Sequence, residues 1–140
     1  MQDLKEKINQ ILQQPQLAGL ATITEDNKPW VRYVMALSSE DFTIRFATFV
    51  SARKVKQIQG NPEVHLTCGV TNPMVQAPYL QIQGIAELTT DEAERHGLWS
   101  DMYKDIFQGP DDPNYAVIVV KPYRIEYCEA GKFEPEVWTA

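Results

Sequence analysis

Only two cysteines, Cys68 and Cys128, occur among the 140 residues. They make neither a disulfide framework nor a paired-thiol metal motif, and both sit in apolar stretches, as buried thiols do. Histidine is equally scarce. His65 and His96 fall on different predicted elements without metal-ligand spacing, so no metal site is expected. No Ser-His-Asp or Cys-His arrangement can be argued from local sequence, so no catalytic side chain is assigned. A glycine-rich phosphate loop of the GxxxxGK[ST] kind is missing, which disfavours a nucleoside triphosphate. No apolar run approaches the roughly 20 residues that span a bilayer. The first five residues lack the apolar h-region of a signal peptide, so the expectation is no membrane partner and a cytoplasmic location. Positive charge is in deficit: 13 Lys and Arg stand against 19 Asp and Glu, for a net charge of −6. Such a surface repels phosphodiester backbones, so no nucleic-acid partner is expected.

What is present suits one domain spanning 1–140. The apolar content of 44% and charged content of 23% are those of a globular chain with a single core. Leu4, Ile8, Ile11 and Leu12 form one stripe, which predicts a helix over 3–14 stopped by Pro15. Strands are predicted over 17–24, 29–37, 42–48, 63–70, 79–88, 115–121 and 123–128, the last two meeting at Lys121-Pro122. A helical period returns over 51–60, with Ser51 as the expected N-cap and Gly60-Asn61-Pro62 as the stop. Thr89 and Glu92 have capping-box spacing, and Leu98, Met102 and Ile106 are expected to form a buried stripe on the helix they open. Trp99 and Tyr103 occupy the neighbouring face, where core or interface packing is expected. Short turns favour antiparallel pairing. Few helices and no strict βαβ alternation argue against a Rossmann fold and for a small closed or split barrel with peripheral helices.

Two places have the composition of a ligand site. The segment Thr48-Phe49-Val50-Ser51-Ala52-Arg53-Lys54-Val55-Lys56 puts three cations where a helix begins. Free N–H groups and the helix dipole attract anions there and repel cations. Either a bound phosphate explains the cations, or they are an exposed basic patch. The second place is Arg32 in the otherwise apolar Trp30-Val31-Arg32-Tyr33-Val34-Met35. Alternation with odd positions inward would leave Arg32, Val34 and Ala36 on the other face, where Arg32 meets either water or an anion.

Several stretches, taken in order, resemble the pyridoxamine 5′-phosphate oxidase-like superfamily, and within it the general stress protein type. They are Leu20-Ala21-Thr22-Ile23, Trp30-Val31-Arg32, Phe46-Ala47-Thr48, Arg53-Lys54-Val55-Lys56-Gln57-Ile58, Asn61-Pro62-Glu63-Val64 and Gln83-Gly84-Ile85-Ala86-Glu87. Pro110-Asp111-Asp112-Pro113-Asn114-Tyr115 and Lys121-Pro122-Tyr123-Arg124-Ile125-Glu126-Tyr127 extend the match, which covers 17–128. The resemblance implies a mainly β fold: a six-stranded antiparallel split β-barrel of Greek-key type with peripheral α-helices. It also implies a homodimer with flavin mononucleotide (FMN) at the subunit interface, and hydride transfer at the flavin to or from a small substrate or a nicotinamide donor. Carried over by position, Arg53 and Lys54 would clamp the phosphate, with Arg32 on the phosphate or ribityl chain. Tyr33, Val34 and Met35 would run along the flavin ring with their backbone, and Thr48 would meet its polar edge. Three positions depart from the pattern. Ala52 stands where the family often has serine, with Ser51 beside it. Tyr79 stands where a glutamine often reaches the partner's flavin, with Gln81 and Gln83 near. Cys128 stands at a tryptophan position. The arginine and histidine that grip pyridoxal phosphate in the true oxidases have no counterpart. The alternatives are a flavin carrier without turnover, or a barrel that has lost its cofactor or exchanged it for haem or deazaflavin.

Overall fold

The computed structural model describes residues 3–140. Seven strands form one antiparallel sheet, joined in the order β3-β2-β1-β4-β5-β6-β7 and closed by β3 on β6. They are β1 (Gln16–Ile23), β2 (Pro29–Ser38), β3 (Ile44–Phe49), β4 (Glu63–Cys68), β5 (Tyr79–Thr89), β6 (Tyr115–Cys128) and β7 (Glu136–Thr139). The helices are α1 (Leu4–Leu12), α2 (Arg53–Gly60) and α3 (Glu92–Leu98). Strands β1 to β6 make the barrel. After three meandering strands, α2 carries the chain back so that β4 lies beside β1, which is the Greek-key path. No described helix is long and apolar enough to cross a membrane.

Alternation builds the interior. Even positions of β1 to β4, such as Leu20, Val34, Phe46 and Leu66, point inward and exclude water. The parity expected for β2 is therefore reversed. Val34 and Ala36 enter the core, while Val31, Tyr33 and Met35 face outward. The 115–121 and 123–128 strands are one continuous β6. Its first half pairs with β3 and its second half with β7, while β5 runs along both. The register slips at Gln83/Gly84, opposite Pro122, which has no N–H to donate. A Cβ on Gly84 would lie 2.7 Å from Val120 Cγ1 and 3.0 Å from the Lys121 carbonyl, so only glycine fits this bend.

A second, smaller core lies outside the barrel and joins Leu98, Tyr103, Phe107, Tyr115 and Val117. The expected buried stripe of Leu98, Met102 and Ile106 does not form. Helix α3 ends at Leu98, a single 3₁₀ turn follows over Asp101–Tyr103, and Met102 and Ile106 are exposed. The chain turns there so that Tyr103 and Phe107, four residues apart and joined by the Phe107 N–H to Tyr103 carbonyl bond at 2.9 Å, face inward instead. The caps differ as well. Asp91, not Thr89, caps α3 by accepting from the Glu94 N–H at 3.2 Å. Ala52, not Ser51, is the N-cap of α2 and makes no side-chain cap bond. Arg45 on β3 ties α3 down through Glu94, Nε to Oε2 2.7 Å.

Candidate cofactor site

The outer face of β1, β2 and β4 carries an unusual amount of exposed apolar surface. Val31 is 66% and Tyr33 75% exposed. With Leu17, Gly19, Thr67 and Tyr79 they line an open groove of about 590 Å³. Gly19 pairs with Tyr33 on one side and Thr67 on the other, so the floor between those strands carries no side chain. Val70 joins the lining and is exposed, beyond the end of the strand expected to reach it. The strand stops at Cys68, and Gly69 at φ +118° turns the chain outward. A Cβ there would sit 2.9 Å from the Pro78 carbonyl.

Arg32 is the one charged residue lining this groove. Its Nη1 donates to Thr22 Oγ1 at 2.7 Å and to the carbonyls of Leu20 and Trp30 at 3.2 Å each. Its Nη2 donates to Gln57 Oε1 at 2.8 Å. Thr22 Oγ1, fully buried, donates onward to Gln57 Oε1 at 2.5 Å. Burial and then the nearby Arg53 hold the Arg32 pKa below its usual value. Burial and then Arg32 lower that of Lys54. Among the described residues no carboxylate comes within 4.0 Å of Arg32, Arg53 or Lys54. Arg45 and Arg124, by contrast, each bind a glutamate. Arg53, exposed, and Lys54, partly buried, thus join Arg32 in an unneutralised positive cluster beside an apolar groove. Such a cluster is set for an anion.

The remaining expected residues scatter. Val34 is in the core and Met35 is partly exposed on the outer face. Thr48 is buried and its hydroxyl donates to the Phe49 carbonyl at 3.0 Å. Ser51 is exposed. Gln81 and Gln83 line a separate polar recess of about 350 Å³ with His65, Arg124 and Glu126. Burial, partly offset by Glu126, lowers the His65 pKa. His96 lies elsewhere, 2.7 Å from Asp111 on the exposed surface beside Glu92. Gln57 and Thr22 were not singled out by sequence reasoning. A glutamine on a helix has no local signature, and only the crossing of α2 over β1 brings it to Arg32.

The sequence profile of the pyridoxamine 5′-phosphate oxidase family matches residues 4–129. The chain belongs to this family. General stress protein 26 of Bacillus subtilis (strain 168) is 29% identical over 134 residues, which are 96% of this chain and 94% of that protein. The crystal structure of General Stress Protein 26 from Bacillus anthracis superposes with a TM-score of 0.85, at 29% identity and 98% coverage of both chains. Two solved proteins named for other cofactors share the fold. An F420 reductase superposes at TM-score 0.65 and 25% identity, covering 84% of this chain and 94% of its own. A haem-binding protein from Mycobacterium smegmatis superposes at 0.80 and 16%, covering 99% of this chain and 59% of its own.

Proposed function

We propose that this family member binds flavin mononucleotide between two copies of the chain and works as an FMN-dependent oxidoreductase on a small substrate. One observation carries the reading: Arg32 belongs both to the apolar groove and to the carboxylate-free cluster with Arg53 and Lys54. A flat apolar ring joined to a phosphate dianion needs those two surfaces side by side. Arg53 and Lys54 hold the phosphate, Arg32 assists, and Tyr33 and Met35 flank the ring. A bound flavin supplies the hydride chemistry, while the chain supplies position and charge. Gln81 and Gln83 lie on the same outer surface, where a partner's flavin would meet them. The groove is open on one side, and a second copy laid against the apolar face closes it.

Cys68 and Tyr79 line the groove but offer no base at neutral pH, since burial pushes the thiol up to about 11 and Cys128 raises the tyrosine, so both stay protonated. This favours as second reading a carrier that holds flavin without turnover. His65 and His96, the histidines a haem would draw on, lie outside the groove.

The absorbance spectrum of the purified protein and mass spectrometry of its released ligand separate flavin from deazaflavin and haem. Arg53→Ala with Lys54→Ala is expected to fold normally and lose roughly 10²-fold or more in FMN affinity, at about 1.5–3 kcal/mol per charge-assisted contact. Unchanged affinity in that variant removes the site. Stopped-flow reduction by NADH or NADPH separates enzyme from carrier, a carrier being reduced slowly and without acceptor preference.

A further inference from the structure

The way Arg32 is held differs from that of the other two strand arginines. Arg45 and Arg124 are each gripped by a carboxylate at 2.7 Å. Among the described residues every acceptor of Arg32 is neutral: two backbone carbonyls, the Thr22 hydroxyl and the Gln57 amide. Gln57 is the one of these carried by α2, the helix that begins with Arg53 and Lys54. Its Oε1 closes a ring in which Arg32 donates to both Thr22 and Gln57, and Thr22 donates to Gln57.

A glutamate would tie α2 to β1 and β2 more strongly at the same position, because hydrogen bonds to a charged acceptor are about twice as strong as neutral ones. It would also relieve the mutual repulsion of Arg32, Arg53 and Lys54. An amide leaves the protein alone less stable than it could be and leaves the charge unspent. We infer that Gln57 is a positioning and specificity-determining residue, which fixes the Arg32 guanidinium through a neutral acceptor so that its full charge remains for a phosphate monoester dianion. This rests on the flavin-phosphate reading and adds to it the residue that makes the site select the phosphorylated ligand.

The test is titration of the full chain with FMN and with riboflavin, which differ only by the phosphate, alongside thermal melting. Wild type is expected to bind FMN more tightly. Q57E is expected to lose about tenfold or more in FMN affinity, the size of one charge-assisted contact. Its riboflavin affinity should stay within about twofold and its melting temperature should hold or rise. A brace with a purely structural role predicts the reverse for FMN, namely no loss in a protein that is as stable or more so. Q57E with the wild-type ratio of FMN to riboflavin affinity, or with equal loss of both, overturns the inference. If Q57E does not fold, Q57A carries the same ratio test, because releasing the guanidinium should weaken FMN alone. Wild type that binds FMN no better than riboflavin overturns the phosphate site itself, a result distinct from failure at Gln57.

Discussion

Single side chains divide sharply by whether their partners are near in sequence. Arg53 and Lys54 were legible because a helix start repels cations, so two in a row need a reason. Arg32 was legible as a charge in an apolar strand, but its surroundings were not, because Leu20, Thr22 and Gln57 reach it only through strand pairing and helix crossing. The same holds for His65. Its pKa is lowered mainly by burial, so the unfolded chain takes up a proton at higher pH than the folded one does. The stability contributed by neutral His65 is complete above the unfolded value of about 6.5 and is lost as pH falls from there through the folded value. Denaturant melts at pH 7.5 and 5.5 should show this loss. His65→Gln should show less of it, and an identical pH slope in that variant would rule His65 out as its source.

At the scale of elements, periodicity located the strands well and the junctions poorly. Alternation identified each barrel strand, but joining β6 across Lys121-Pro122 required knowing that its two halves face different neighbours, β3 and then β7. The stripe from Leu98 to Ile106 failed because α3 stops at Leu98 and a 3₁₀ turn changes the period. Gly84 marks the hinge of the β5–β6 ribbon. Gly84→Ala forces a methyl group against Val120 and the Lys121 carbonyl, and it should cost about 1–3 kcal/mol in denaturant unfolding. Gly97→Ala, inside α3 with nothing within 4 Å of its added Cβ, should instead gain up to about 1 kcal/mol from helix propensity. Equal effects from the two substitutions would contradict this account of the bend.

For the whole molecule, the exposed face of Leu17, Val31, Tyr33 and Met35 calls for a covering partner, since isolated soluble chains rarely leave contiguous apolar patches open. A second copy of the chain covers it in the proposed assembly. Light scattering is expected to give twice the chain mass. Val31→Asp combined with Leu17→Lys should lower that mass towards the single chain and weaken FMN binding with it. Wild type that stays monomeric at micromolar concentration while retaining flavin would place the whole site within one barrel.

Composition and pattern alone were enough for a mainly β barrel and for a run of cations at the start of α2, because alternation, helix periodicity and dipole chemistry act over neighbouring residues. Which face of β2 turns inward, which residues share the groove with Arg32, and that a neutral amide holds it were decided by tertiary structure. Those contacts join positions 10 to 35 residues apart, and only the closure of the sheet and the seat of α2 upon it bring them within hydrogen-bond reach.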